Sequence, residues 1–122
     1  MTNHFLERAK RTENLTSSHR RAKKQERELA KSTRGRLVPA SGARDVKGDV
    51  RVKGVVRIEA KTTKNQSFSV SREMVEKIEA AAVASNEMPV LVVEFNDGNG
   101  RKLKELAIMP MYALQTLLDG QK

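Results

Sequence analysis

The apolar run at residues 90–95 constrains the fold of this chain more than any other feature. It reads Val-Leu-Val-Val-Glu-Phe, so Glu94 is its one charged residue. A strand with one face in water alternates apolar and polar residues, whereas a strand buried on both faces is apolar nearly throughout. The run therefore predicts a central strand, and such a strand needs a layer of structure on each face.

Strand-like segments elsewhere can pair with this central strand. Asp49–Val52 and residues 55–60 predict a hairpin, because a tight Lys-Gly turn separates two apolar segments. Three further strands are predicted, at residues 36–39, 67–70 and 101–108. The last of these follows a turn-forming Asn-Asp-Gly-Asn-Gly sequence and is expected at the edge of the sheet.

Helical patterns accompany these strands. Residues 18–33 are rich in good helix formers, with serine at the start and Gly35 as the stop. A second helix is expected after Ser71 and runs to about Ser85, and a third covers residues 111–118. The order predicts an α/β fold, a single compact domain in which helices flank a central mixed β-sheet.

The charge of the chain is strongly basic and unevenly distributed. The 122 residues carry a net charge of +9. Residues 1–36 hold 11 Lys and Arg against 4 Asp and Glu, whereas residues 37–122 hold 13 against 11. We therefore divide the chain into a basic N-terminal arm, residues 1–24, partly flexible or helical, and a folded domain, residues 25–122. This balance favours a polyanionic partner, nucleic acid first and an anionic membrane surface second.

The composition also argues against several classes of protein, of metal site and of nucleic-acid recognition. The chain has no cysteine, which excludes a disulfide scaffold and thiolate metal sites and fits a reducing cytoplasm. No apolar run approaches the roughly 20 residues that cross a bilayer, so no membrane-spanning segment is predicted, and nucleic acid rather than a membrane is the expected partner. Aromatic residues make up only 3% of the chain, which favours recognition of nucleic acid by phosphates and shape over base stacking.

The candidate chemistry lies at Glu59 and Lys61. Residues two apart on a strand share a face, so both should project away from the face of Ile58 and Ala60. The hairpin can bring Asp49 beside Glu59, and two close carboxylates repel unless a cation joins them. Oxygen ligands favour Mg²⁺ or Mn²⁺, and such an ion beside a lysine is suited to phosphodiester hydrolysis. Alternatively, Glu-x-Lys belongs to a solvated strand face with alternating charges.

An ordered series of short motifs extends over more than half of the chain. On these motifs, residues 25–95 resemble the archaeal and phage Holliday-junction resolvases of the PD-(D/E)xK nuclease superfamily. In chain order the motifs are Gln25-Glu26-Arg27-Glu28-Leu29, Ser41-Gly42-Ala43, Gly48-Asp49-Val50, Ile58-Glu59-Ala60-Lys61-Thr62-Thr63-Lys64, Ser71-Arg72-Glu73-Met74 and Met88-Pro89-Val90-Leu91-Val92-Val93-Glu94-Phe95. Two features depart from the family: Gly48 stands where the name motif has proline, and the basic arm is long.

The resemblance implies a restriction-endonuclease-like fold and a role for each residue of the site. Asp49 and Glu59 match the metal-binding acids. Glu26 matches a third acid on the first helix, and Lys61 matches the catalytic lysine. Ser41 matches a loop serine close to the scissile strand, although it could be an ordinary loop residue. The expected cofactor is Mg²⁺ or Mn²⁺.

DNA contacts are expected on both sides of this site. Lys64 and Arg72 match family positions that approach phosphates. The density of cations in the arm adds four more candidates: Arg20, Arg21, Lys23 and Lys24. Glu28 is close to Glu26 and could take its place as the helix acid.

The resemblance implies a homodimeric endodeoxyribonuclease that resolves four-way DNA junctions by paired nicks in the cytoplasm, and its phage members suggest a bacterial host cell. Two alternatives stay open. The same chemistry could act on flaps or forks, or the chain could be a basic DNA-binding protein without catalysis. The candidates for the dimer interface, which could equally be core, are the apolar positions after Pro89 and six residues near the C-terminus: Met109, Met111, Tyr112, Leu114, Leu117 and Leu118.

Overall fold

Five strands form one mixed sheet whose spatial order follows the chain. They are β1 (Arg36–Leu37), β2 (Asp49–Val52), β3 (Val56–Thr63), β4 (Met88–Asn96) and β5 (Lys102–Ile108). β3 and β4 run parallel, and the other neighbours run antiparallel. The computed structural model describes residues 20–38 and 49–120, and for Asp49 it describes the backbone.

Within the described residues three helices accompany this sheet, and two of them cover its opposite faces. They are α1 (residues 20–33), α2 (Arg72–Ala84) and α3 (Met111–Asp119). Leu29 of α1 joins a core cluster with Val50 of β2 and with alternate residues of β3 and β4. Ile78 of α2 joins a second cluster with Leu91 and Val93 of β4. The continuous apolar run of β4 is thus explained, because its alternate residues belong to two different cores.

The hairpin predicted from the sequence is confirmed, and its register bears on the candidate site. β2 pairs with β3 so that Asp49 lies opposite Glu59 and Val50 lies opposite Ile58. Gly54 occupies the turn with a φ of 75°, a conformation that favours glycine. The predicted edge strand and the third helix are also confirmed, as β5 and α3.

Residues 67–70 were predicted as a strand, and that prediction is wrong. They form no regular structure and connect β3 to α2. The reason is topological: β3 already pairs with β2 on one side and β4 on the other, which leaves it no free edge. The segment instead begins the crossover that a parallel pair such as β3 and β4 requires.

The start of α2 follows the predicted cap, and the C-terminal end of α1 differs from the prediction; the serine predicted to cap the start of α1 lies outside the described residues. The Ser71 hydroxyl accepts a hydrogen bond from the Met74 N–H at 3.1 Å, as expected of an N-cap. Gly35 does not supply the left-handed turn that ends α1, since Arg34 does so with a φ of 59°. Gly35 is needed instead for close approach, because a Cβ there would lie 2.8 Å from the Arg51 carbonyl oxygen.

Several predictions fall on residues outside the described part of the chain. Residues 1–19 of the basic arm lie outside it, and so does Ser41 with its loop. The boundary drawn between residues 24 and 25 falls inside α1. Within residues 20–38 and 49–120, no helix is long and apolar enough to cross a membrane.

Candidate active site

Strand β3 presents Glu59 and Lys61 together, as its alternation predicts. Ile58 and Ala60 are buried in the core on the α1 side. The Lys61 ammonium lies 3.4 Å from the Glu59 carboxylate, and their side chains remain 42% and 20% exposed. The pair is therefore half-buried, with access to a ligand from outside.

The register of the hairpin places a second acidic residue at this pair. Asp49, the first residue of β2, lies directly opposite Glu59. Residues directly opposite in an antiparallel pair are near neighbours, with Cβ atoms about 5 Å apart. The Asp49 side chain itself lies outside the described part of the structure.

Glu26 on α1 is the third acid that the structure brings toward the site. Its neighbour Gln25 is buried and donates a hydrogen bond from Nε2 to the Lys61 carbonyl oxygen at 2.7 Å, which ties α1 to β3. Glu26 is 5% exposed, and its Oε1 is buried with no hydrogen-bond partner among the residues that the structure describes. Burial and the Glu59 charge raise the pKa of Glu26, against the opposing charges of Lys23 and Arg27.

The environment of Glu26 separates it from Glu28, the alternative acid. Glu28 is exposed and lies 4.0 Å from the Lys24 ammonium, one helical turn away. In a surface pair of this kind the two charges neutralise each other, and the pair contributes little to stability. Glu26 instead has a buried oxygen without a partner within the described ranges, and burial together with the charge of Glu59 raises its pKa.

These carboxylates fit a divalent cation. A buried carboxylate oxygen without a donor is costly, and a hard cation with oxygen ligands would satisfy it. Among the residues whose side chains are described, no three acids or histidines come together as a metal site. Asp49 stands at the register position from which a third carboxylate would be added to Glu26 and Glu59.

A cleft of about 320 Å³ opens beside the Glu59–Lys61 pair, between β3 and α2. The β3 wall consists of Arg57, Glu59 and Lys61, which occupy alternate positions of the strand. The α2 wall includes the charged residues Glu73 and Lys77. Among the lining side chains that the structure describes, three cations stand against two carboxylates, a balance that suits an anionic ligand such as a phosphate.

The residues predicted to contact DNA differ in whether their side chains already form hydrogen bonds or ion pairs within the protein. Arg21 is engaged within the protein, because its guanidinium donates to Asn96 Oδ1 at 3.2 Å and to the Gly98 carbonyl oxygen. Arg72 is exposed and pairs with Glu76 at 3.1 Å. Lys24 forms the surface pair with Glu28 described above. The other three candidates are exposed: Arg20, Lys23 and Lys64.

Sequence reasoning missed Arg57 and Lys77 as residues of the site. The signal for Arg57 was present, since it precedes Glu59 by two residues and so shares its face of β3. Lys77 was not predictable in this way, because its position depends on how α2 packs over the sheet. Ser41 cannot be placed relative to either residue, as it lies outside the described residues.

The candidate site thus combines residues from three separate elements. β3 supplies Glu59 and Lys61, β2 supplies Asp49 at the paired position, and α1 supplies Glu26. Comparison of the chain with family models, with curated proteins and with solved structures found no match.

Proposed function

We propose that this chain is a metal-dependent, structure-specific endodeoxyribonuclease that resolves four-way DNA junctions by paired nicks. One observation supports this proposal most directly. The half-buried Glu59–Lys61 pair lies at 3.4 Å on β3, with Asp49 opposite in register and the unpartnered Glu26 carboxylate held by α1. Carboxylates gathered around a single lysine, beside a positively charged cleft, suit hydrolysis of a phosphodiester.

Each residue of the site has a distinct task in this proposal. Asp49, Glu59 and Glu26 would hold Mg²⁺ or Mn²⁺, which when bound makes water acidic and stabilises charge developing on the phosphate. Lys61 donates hydrogen bonds from its ammonium group, so it can orient the attacking water or neutralise a phosphate oxygen. The hydrogen bond from Gln25 to the Lys61 carbonyl oxygen keeps the helix acid and the lysine in a fixed relation.

The architecture supports a restriction-endonuclease-like fold for this domain. A mixed sheet carries helices on both faces, and an antiparallel hairpin leads into a parallel β3–α2–β4 crossover. The acids and the lysine lie on this hairpin and on the helix that precedes it. Fold alone does not establish an activity, so the proposal depends on the residues of the site.

A cleavage assay on a substrate panel tests the proposal. The wild-type protein should nick a synthetic four-way junction in Mg²⁺, with no cleavage in EDTA. A flap, a replication fork and linear duplex of matched sequence should be cut more slowly. If the flap and the junction are cut at equal rates, the protein is a nuclease that acts on other branched DNA as well. If the protein binds DNA but cleaves none of these substrates, the proposed nuclease activity is contradicted.

One observation favours a second candidate function, a basic DNA-binding protein without catalysis. The Lys61 ammonium already neutralises Glu59 at 3.4 Å, as in an ordinary surface ion pair. The buried and unpartnered Glu26 oxygen argues against this alternative, because a purely structural patch has no reason to keep it. Binding that is unaffected by Mg²⁺, with no product on any substrate, would favour this candidate.

Cations on α1 should contribute to binding through phosphates. Replacing exposed Arg20 and Lys23 by glutamine is expected to weaken junction binding and to reduce its salt dependence. Each lost phosphate contact should lower the slope of log K against log salt by about 0.9. The matched control is Lys104→Gln on β5, which is exposed and outside the cleft. Unchanged slopes in the α1 variant would show that these cations do not contact DNA.

A homodimer would give two active sites for the two opposing strands of a junction, and the C-terminal part of the structure offers a surface for it. Met109 packs against the α1-side core, so of the six C-terminal candidates it belongs to the core. The other five are exposed on α3 and range from 38% to 66% exposed. This apolar surface would be buried by a two-fold symmetric partner.

We therefore expect a dimer in sedimentation at micromolar concentration and symmetric paired nicks. Replacing Leu117 and Leu118 by aspartate should weaken association by at least about a hundredfold, because each buried leucine contributes about 1.5–3 kcal/mol. Val83→Asp on α2 is the control, since Val83 is equally apolar and 71% exposed. If the wild-type protein is a monomer and makes a single asymmetric nick, it does not resolve junctions. The proposal of a metal-dependent nuclease would survive that result.

A further inference from the structure

Arg57 occupies an unusual position beside the candidate site. It lies on the same face of β3 as Glu59 and Lys61 and lines the cleft with Lys77. Its side chain is only 16% exposed. The buried Nε has no hydrogen-bond partner in the described part of the structure. A buried donor without an acceptor is costly unless a ligand or water supplies one.

The internal partner of Arg57 does not account for it. Arg51 lies directly opposite Arg57 in the hairpin, and both approach the buried carboxylate of Glu87. Arg51 donates two hydrogen bonds to Glu87 Oε2, at 3.0 and 2.6 Å, and Gly54 N–H donates a third at 2.9 Å. Arg57 comes only to 3.7 Å of Oε1, too far for a hydrogen bond. Two arginines therefore share one carboxylate. Glu87 Oε1 has no hydrogen-bond partner among the described residues either, so the nearby Nη1 of Arg57 faces an acceptor, whereas the Arg57 Nε donor is left without one.

The charges that line the cleft also favour binding of an anion. Glu59 already neutralises Lys61, whereas Lys77 forms no ion pair among the described residues. Directly opposed like charges such as Arg51 and Arg57 destabilise a hairpin. An anion bound in the cleft would neutralise the excess positive charge and would accept a hydrogen bond from Arg57 Nε.

We infer that Arg57, with Lys77 across the cleft, forms a subsite for a DNA backbone phosphate next to the one that is cut. This inference rests on the proposed nuclease function and names a further residue of that site. Arg57 precedes Glu59 by two residues, so it is displaced by about 6.6 Å along β3 from the cleavage centre. At that distance it positions the strand and does not act on the scissile bond.

Arg57→Gln and Arg51→Gln form a matched pair that tests the inference. Both remove one positive charge from the same hairpin and both contact Glu87, but only Arg57 lines the cleft. Binding of a labelled four-way junction would be measured in EDTA across a salt series, with folding of each variant checked by circular dichroism. Arg57→Lys, which keeps the charge, completes the set.

We expect Arg57→Gln to reduce the salt slope by about 0.9, whereas Arg51→Gln and Arg57→Lys keep the wild-type slope. The affinity difference between wild type and Arg57→Gln should then narrow about 3.5-fold between 50 and 200 mM salt. Cleavage at saturating protein should change little, because a contact to a neighbouring phosphate binds ground state and transition state alike.

Two results would overturn the inference while leaving the proposed function intact. One is a wild-type protein that binds and cleaves while Arg57→Gln keeps the wild-type slope. The other is an Arg51→Gln variant whose salt slope falls as much as that of Arg57→Gln. That result would mean that the net positive charge of the hairpin attracts DNA and that Arg57 forms no specific subsite. A wild-type protein that neither binds nor cleaves the junction would instead refute the proposed function, and the inference with it.

Discussion

Asp49→Asn, Glu59→Gln and Lys61→Ala are each expected to abolish junction cleavage while junction binding survives. The two acids would lose a charged metal ligand, and the lysine variant would lose the donor at the developing negative charge. Losses of this kind remove several kcal/mol of transition-state stabilisation, and each ~1.4 kcal/mol is a tenfold change in rate. Single-turnover cleavage in Mg²⁺ and binding in EDTA measure the two effects separately.

Controls for these variants come from the exposed edge strand. Glu105→Gln and Lys104→Ala make the same changes of charge on β5, where both side chains face solvent. They should cleave at close to the wild-type rate. Near wild-type turnover by any one of the three site variants would remove that residue from the proposed active site.

Loss of Glu87 is expected to be the most destabilising single substitution in the hairpin region. Its side chain is fully buried and holds Arg51 at 2.6 Å and the hairpin turn through Gly54 N–H at 2.9 Å. Removing one partner of a buried ion pair typically costs about 3–5 kcal/mol, because the other charge is left uncompensated. Here Arg57 and Arg51 would also face each other across the hairpin without their shared carboxylate. Urea unfolding of Glu87→Gln measures this loss.

The matched control for Glu87 is Glu76→Gln. Glu76 pairs with Arg72 on the surface, where both side chains are more than half exposed, so its removal should cost at most about 1 kcal/mol. If Glu87→Gln unfolds at the same urea concentration as Glu76→Gln, the buried cluster does not stabilise the hairpin.

The acid side of the stability profile should depend on Glu87. Burial acts to raise the pKa of this carboxyl, but the Gly54 N–H, the hydrogen bond from Arg51 and the charges of Arg51 and Arg57 together lower it. A lowered folded-state pKa contributes stability above the unfolded value, near pH 4.3, and that stability is lost as the pH falls through the folded value. Glu87→Gln should therefore show a flatter decline of unfolding free energy below about pH 4.3 than the wild type.

Local sequence was sufficient for most of the elements and for one half of the site. Continuous apolar residues predicted β4, and the Lys-Gly turn predicted the β2–β3 hairpin, because backbone geometry and burial leave direct traces in residue order. Alternation along β3 predicted that Glu59 and Lys61 would lie together, and the structure confirms this at 3.4 Å. These signals are short in range, since they depend on a residue and its near neighbours in the chain.

Contacts between distant segments were decided only by the tertiary structure. Residues 67–70 have the composition of a strand, yet β3 had no edge left to pair with them. Glu26 and Glu28 are alike in sequence, but the orientation of α1 buries one and exposes the other. The helix-forming pattern of α3 could not show whether its apolar residues are core or surface.

The buried cluster at Glu87 shows the physical reason most clearly. In sequence, Glu87 is one more acid after a helix, and Arg51 and Arg57 are ordinary strand residues. Their interaction depends on hairpin register, on the left-handed turn at Asn86 that ends α2, and on the parallel pairing of β3 with β4. Secondary structure follows from the chain locally, whereas the energy of a charge depends on which distant groups burial brings within a few ångströms of it.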